Sequence, residues 1–497
     1  MADMLKLFID GAFVSSESHE GREIRDPSTG AWIATAPCCT REELKRAVAA
    51  AARAFESWRW VPVTKRVQVL YKFRELVLAH MDELTHLLCR ENGKAWAEGK
   101  GDIAKVIEIT ELACGAPSLM MGESLMNTSR GFDTVLQREP VGVYCGIAPF
   151  NFPAMIPMGW MMPLCIACGN TFVLKASSQT PMTSLRMAEL LVEAGLPKGV
   201  VNIVTCDRSV ADLLLSHPDV KGVSFVGTTA VGREIYAKAA ANGKRVQALC
   251  EAKNHALVMD DANLTRTARA IINASFGCAG ERCMALPVVV AHEGIADQLV
   301  ELLKRYAAEI KVGIAYDQAT GMGPVISAQH KARVEEWIQR GLDEGAALVL
   351  DGRNIKVDGA EHGYYVGPTI LDHVTPAMSV GQREIFGPVL CIKRVSSFEE
   401  GLEVMNANPY ANGSVIFTES GYYSREFALR THGGMVGVNV GIPVPMGVFP
   451  FTGHKQSFFG DLHAIGKDGV RFFTETKAVT ARWFDRTEGD VKVGTWE

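Results

Sequence analysis

Asn170-Thr-Phe-Val-Leu-Lys175, Val200-Val-Asn-Ile-Val204 and Val220-Lys-Gly-Val-Ser-Phe-Val226 are three short apolar runs rich in β-branched and aromatic residues. Between and after them lie Met182–Ala194, Arg208–Ser216 and Ala230–Ala241, which read as helices, the first closed by Gly195 and the last by Asn242-Gly243. With Val141–Ile147 ahead of them, the pattern is strand–helix alternation, the signature of parallel strands joined by crossover helices. Such sheets bind nucleotides at the carboxyl ends of their strands. The fingerprint G-x-G-x-x-G is absent. Instead Phe225-Val-Gly-Thr-Thr-Ala-Val-Gly232 turns from a strand into a helix, whose N-terminal N–H groups suit a pyrophosphate.

Working outward, a second alternating section runs from His255 to about Pro450. Its strands are Ala256–Met259, Pro287–Ala291, Ala347–Leu350 and Val389–Val395, and its helices include Ala296–Glu309 and Lys331–Asp343. Upstream, Leu5–Ile9 and Trp32–Ala36 are strand-like, Arg41 to about Glu98 is helical, and a further helix covers Asp102–Ala113. Two stray strand-like segments remain, Thr128–Glu139 and the tail Val470–Phe484, and extended segments outside the main sheets commonly join subunits by strand addition. The expected division is a dinucleotide-binding part over 1–121 and 141–251, oligomerisation segments over 122–140 and 470–490, and a catalytic part over 252–469.

The chain of 497 residues has length for about two to four domains. Its 47% hydrophobic and 22% charged content excludes disorder, and a net charge of −5 gives no footprint for nucleic acid or anionic membrane. The longest apolar run, Ala154–Cys168, is too short to span a bilayer and is interrupted by Pro157 and Pro163. Asp3, Lys6 and Asp10 stand where an export signal needs an apolar stretch, so the twelve cysteines are expected to be reduced thiols of a cytoplasmic protein.

Cys89, Cys114, Cys145 and Cys391 sit in apolar surroundings and read as core. Cys165-Ile-Ala-Cys168 has metal-ligand spacing but no second pair, so core packing is the reading there and no metal is expected. Cys283 differs, in Phe276-Gly-Cys-Ala-Gly-Glu-Arg-Cys283. Glycines admit a substrate closely, and the adjacent Arg282 favours the reactive thiolate. On these grounds alone a nucleophile and a packed thiol both stay open.

Gly280-Glu-Arg-Cys283, Pro149-Phe-Asn151-Phe-Pro153, Lys175, Phe225-Val-Gly227 and Glu384-Ile-Phe386-Gly-Pro388 together resemble the aldehyde dehydrogenase superfamily, in order and over nearly the whole chain. Ala148–Pro157, Cys168–Phe172, Lys244–Ala248 and Ala252-Lys-Asn-His255 are closer still to its methylmalonate-semialdehyde branch, whose members are CoA-acylating. The resemblance implies an α/β fold with a Rossmann-type cofactor domain, an α/β catalytic domain and a β oligomerisation segment. It implies Cys283 as nucleophile and Asn151 as oxyanion donor. It places NAD or NADP against Ala148, Phe150, Lys175, Ser178, Gly227, Thr228, Cys250, Glu384 and Phe386, with CoA as co-substrate. Arg282 and Lys105 are the candidates to hold a substrate anion. The partners implied are a small aldehyde, CoA and further copies of this chain in a dimer or tetramer.

Three departures shape these expectations. Where hydrolytic relatives carry Glu-Leu-Gly-Gly-Lys, this chain has Leu249-Cys-Glu-Ala-Lys253, so Leu249 replaces the base that activates water and Glu251 lies two residues on. Ser178 stands where NAD users usually have Glu, which leaves NADP use open. Lys105 replaces an Arg said to grip the substrate carboxylate, and Lys lacks that bidentate geometry. The alternatives are a hydrolytic, NADP-dependent semialdehyde dehydrogenase releasing free acid, and a catalytically silent structural relative.

Overall fold

The computed structural model describes residues 3–483. Its first sheet has eight strands, and the alternation read above forms its centre. In spatial order the five parallel strands are Val201–Val204, Thr171–Lys175, Val143–Ile147, Val220–Val226 and Arg245–Leu249. These strands are almost wholly buried, which is why they read as continuous apolar runs rather than alternating ones. Leu7–Ile9 pairs antiparallel with Val201–Val204, and Ala12–Val14 pairs outside it to form that edge. The chain builds outward from Val143–Ile147 in one direction, then crosses back to place Val220–Val226 on its other side. The switch point therefore lies between those two strands.

The second sheet has seven strands, in the order Ala347–Leu350, Thr369–Asp372, Val389–Val395, Val288–His292, His255–Val258, Gly413–Phe417 and Met435–Val438. All pairings but the first are parallel. A third, antiparallel sheet joins Thr474–Arg482, Phe132–Pro140 and Ser124–Ser129.

Four sequence expectations change. The segment after about residue 440 does not stay with the second sheet. Phe458–Gly460 pairs antiparallel with Arg245–Leu249, and Phe451 lies against Trp160 at 4.6 Å between ring centroids, because the first core offers the apolar surface these aromatics need. The tail is not all strand: Gly466–Phe472 is a helix that buries Val470 and Phe472, and only then does Thr474–Arg482 run extended. Phe484 and residues 485–490 of the expected segment lie outside the described residues. Thr128–Glu139 is not one strand but the turn and second arm of a hairpin, reversed at Gly131 with φ +78°. Asp102–Ala113 belongs to one longer helix, Trp96–Cys114.

The apolar run Ala154–Cys168 is helical but begins as a π-helix over Met155–Met161, with every residue buried. Prolines at 157 and 163 each remove an N–H from the helical ladder. Cys165 and Cys168 both lie in the core here.

Candidate active site

The switch point brings the motifs together. Val143–Ile147 runs out into Ala148-Pro-Phe-Asn151, and Val220–Val226 into Gly227-Thr228. Phe150, Asn151, Gly227, Thr228, Cys250, Glu251, Cys283, Glu384 and Phe386 all line one cleft that encloses about 710 Å³. A neighbouring cleft of about 630 Å³ takes Lys175 at the end of its strand, with Ile147, Leu215, Val231 and Ile235 as apolar wall. Ala148 is buried behind, its N–H donating to the Lys175 carbonyl at 3.1 Å, and Ser178 is partly exposed outside both walls.

Of the twelve thiols only Cys38 and Cys283 are not buried. Cys283 opens to the cleft, yet the protein packed round its sulfur pushes the thiol up to about 12; the nearby Glu384 carboxyl pushes the same way, while the N–H groups of Cys283 and Met284 oppose it. This corrects the expectation that Arg282 favours the thiolate. Its guanidinium turns back from the sulfur, donating to the Gly277 and Asn273 carbonyls at 2.9 and 3.0 Å and lying 3.3 Å from Glu98 Oε1. Lys105 is also engaged elsewhere, 2.6 Å from Glu108, and neither cation lines the cleft that holds Asn151, although Arg282 shares a small adjoining cavity with Cys283.

The nucleophile loop is held on several sides. Its Cys278 and Ala279 take the left-handed conformation with φ near +50°, and Gly280 follows at +73°. Such a run of non-glycine residues costs of order 1–3 kcal/mol each and persists only where neighbours over-determine it. A Cβ on Gly280 would lie 2.2 Å from the Gly387 carbonyl oxygen, so only glycine fits. Asn254 Nδ2 donates to the Cys283 and Ala285 carbonyls at 3.0 and 2.7 Å.

Asn151 is nearly buried and donates from Nδ2 to the Glu281 carbonyl at 3.1 Å, which sets its amide beside the nucleophile loop and leaves its second amide hydrogen unassigned. The long helix Trp96–Cys114 steadies it. Asp102, buried in an ion pair with Lys94 at 2.8 Å, accepts the Met155 N–H at 2.7 Å, and Lys94 Nζ sits 3.4 Å over the Phe152 ring.

Glu384 accepts from the Ala252 N–H at 3.1 Å; burial pushes its carboxyl up to about 8, and the neighbouring Glu251 carboxylate adds to the shift. Leu249 is 6% exposed at its strand end, with no group to take a proton. Glu251 faces the cleft and accepts the Thr229 N–H at 2.8 Å, at the start of the helix Thr229–Ala241.

Sequence reading did not find His330 and Arg333, which the helix Ala328–Asp343 carries into the cleft. From sequence this helix starts at Lys331, a turn late, which leaves His330 outside it, and no motif marks those two side chains. His330 Nε2 lies 2.7 Å from the Phe386 carbonyl and 3.4 Å from the buried Glu281 carboxyl.

The arrangement suits a dinucleotide. Lys175 and Arg333 have no hydrogen-bond or ion-pair partner among the described residues. Thr228 makes no side-chain bond to the first turn of its helix, and with the Thr229 N–H taken by Glu251 it is the next N–H groups of that turn that are left for phosphate. A half-open thiol next to a buried amide, at the switch point of a doubly wound sheet, marks a nucleotide-dependent oxidoreductase.

The sequence profile of the aldehyde dehydrogenase family matches residues 13–479. Malonate-semialdehyde dehydrogenase 1 of Geobacillus thermodenitrificans is 52% identical over 479 residues, covering 96% of this chain and 99% of that protein. Among solved structures, methylmalonate-semialdehyde dehydrogenase from Oceanimonas doudoroffii superposes with a TM-score of 0.96 at 43% identity, over 98% of this chain and 99% of that one. A Sinorhizobium meliloti protein described as a methylmalonate-semialdehyde dehydrogenase, complexed with NAD, gives 0.96 at 42% with the same coverage. The chain belongs to the aldehyde dehydrogenase family. It is an enzyme of aldehyde oxidation, with NAD or NADP as acceptor.

Proposed function

We propose that the enzyme oxidises a small semialdehyde through a thioester on Cys283 and passes the acyl group to CoA. Cys283 Sγ adds to the aldehyde carbon as the thiol proton passes to solvent in the open cleft, leaving the charge on the former carbonyl oxygen. The oxyanion so formed is held by Asn151 Nδ2 and the Cys283 N–H, donors that need no reorganisation as charge develops. Lys175, Gly227, Thr228, Glu384 and Phe386 would hold NAD(P), with His330 and Arg333 on the same wall; when bound, it accepts hydride. Ser178 adds no negative charge near Lys175, which supports use of NADP as well as NAD.

One observation carries the choice of acceptor. Leu249 offers no base, and the two carboxyl groups lining the cleft are each anchored through one oxygen to backbone, Glu251 by the Thr229 N–H and Glu384 by the Ala252 N–H. Water needs a positioned base, worth roughly 10²–10⁴-fold, whereas a thiol is intrinsically the better nucleophile towards a thioester. The names of the relatives support a semialdehyde with a terminal carboxylate as substrate. With malonate semialdehyde, NAD and CoA, mass spectrometry should find an acyl-CoA. Free acid as the product, with CoA unconsumed, would overturn this.

Assembly through the third sheet belongs to the same reading. It exposes Leu125 and Met126 on its short strand and Val135 and Val479 on its two long ones, which supports strand-mediated pairing of subunits into a dimer or tetramer. Among the described residues no helix is long and apolar enough to cross a membrane. Twelve unpaired thiols support a reducing compartment, the cytoplasm.

A further inference from the structure

We propose that His330 is a positioning residue that joins the nucleophile loop to the loop over 384–388, so that one imidazole sets Phe386 in the cleft wall and, through Glu281, the Asn151 amide beside Cys283. The inference rests on Cys283 being the nucleophile and on the cleft being the NAD(P) site.

Three elements meet at this side chain. His330 stands in the first turn of Ala328–Asp343, where Ser327 Oγ accepts its N–H at 3.1 Å and fixes the start of the helix. Its Nε2 lies 2.7 Å from the Phe386 carbonyl, and a carbonyl only accepts, so Nε2 carries the hydrogen. Phe386 is a non-glycine residue at φ +64°, a left-handed conformation that persists only where neighbours over-determine it. The same Nε2 is 3.4 Å from Glu281 Oε1, which also accepts the Ile326 N–H at 3.2 Å just ahead of the helix. The backbone carbonyl of Glu281 in turn accepts from Asn151 Nδ2 at 3.1 Å.

The surroundings leave the ring little freedom. The His330 side chain is only 12% exposed. Its ring centroid lies 6.3 Å from that of Phe150 and 6.5 Å from that of Phe386, and those two rings meet edge to face at 5.9 Å. A Cβ on Gly387 would lie 2.6 Å from Val334 Cγ2 of the same helix, and one on Gly280 only 2.2 Å from the Gly387 carbonyl oxygen. The two loops are therefore pressed together beside His330. Burial pushes the imidazole pKa down, the Phe386 carbonyl pulls it back, and the Arg333 charge lowers it again, while burial holds the Glu281 carboxyl well above its usual range. A neutral ring next to a neutral acid keeps its hydrogen on the Phe386 carbonyl, so the imidazole works through geometry rather than charge. Such geometry matters to rate, since a misplacement of about 1 Å near reacting atoms can cost roughly 10²-fold.

The test compares full-length wild type with His330→Gln, whose amide brings an N–H close to the place of Nε2, and His330→Phe, which keeps a ring and loses the donor. Amide hydrogen exchange of the free enzyme reads residues 277–283 and 384–388, and fluorescence titration gives the Kd of NADH. Steady-state oxidation of malonate semialdehyde with NAD and CoA gives kcat and the KM of each substrate. His330→Phe should speed exchange in both loops. It should also raise the Kd of NADH and the KM of NAD by about three- to tenfold, the worth of one hydrogen bond, and lower kcat by a similar factor. The KM of the aldehyde should not move. His330→Gln should stay within about twofold of wild type throughout, because the donor is kept. Faster exchange in one loop only, or equal losses in His330→Gln and His330→Phe, would overturn the proposal. A rise in KM for malonate semialdehyde alone would make His330 a substrate ligand and overturn it too. Should His330→Phe fail to fold, His330→Asn, whose amide stops short of the Phe386 carbonyl, takes its place. Should the wild type neither oxidise the aldehyde nor bind NADH, the functional reading fails while the exchange rates still decide whether His330 joins the loops.

Discussion

The cations on the two sides of the nucleophile loop are treated in opposite ways. On the side of the strand ends, Lys175 and Arg333 point into clefts with no partner among the described residues. On the side of the helix Trp96–Cys114, Lys94, Lys105 and Arg282 are each answered by a carboxylate, Asp102, Glu108 and Glu98. Lys175 is half-buried and Arg333 exposed, so both are placed to meet an anionic ligand, whereas the paired cations are held by the protein's own carboxylates. Cys283 stands where the two sets meet.

That contrast makes the nucleophile the place of largest effect. Cys283→Ala should abolish aldehyde oxidation while NADH, followed by its fluorescence, still binds through the strand-end residues. Loss of both together would mean that the two sides are not separate. Asn151→Ala should lower kcat by roughly 10²–10³-fold, the loss of one oxyanion donor. An unchanged kcat would reduce Asn151 to a brace for the Glu281 carbonyl.

A smaller effect should appear in stability. Glu384 is pushed up to about 8, above the ordinary carboxyl range, so the folded state holds its proton where the unfolded state has lost it. Stability then falls as pH rises from the unfolded pKa through about 8 and levels off above. Glu384→Gln, which carries no titrating proton, should gain Tm relative to wild type between pH 5 and pH 9. A constant gap across that range would show that Glu384 is ionised throughout.

How far the sequence could be read follows the same divide. Pro149–Pro153 and Phe225–Gly232 leave their strands directly, so their place at strand ends was visible in local order, whereas the pairing of those two strands at the switch point was not. Cys283, Glu384 and Lys175 were found from short motifs, and the structure sets the first two in one cleft and the third in the next. The charge pairs were hidden because they are long-range. Glu98 and Arg282 are 184 positions apart, and Asp102 reaches Met155 across 53. Arg282 therefore read as a cation free to act on Cys283, when its charge is spent on Glu98. Glu251 is similar: its approach to the Thr229 N–H depends on how the two strands register, which one strand's sequence does not specify.

The central claim is that this cleft makes a thioester on Cys283 and lacks the means to hydrolyse it. The direct measurement is rapid mixing of enzyme, NAD and malonate semialdehyde, with and without CoA, following NADH absorbance. Without CoA the account predicts a burst of about one NADH per active site followed by slow turnover, because the missing base withholds its roughly 10²–10⁴-fold help; with CoA, turnover should be fast and sustained. Equal steady rates in both, with free acid released, would contradict it and make Glu251 the base.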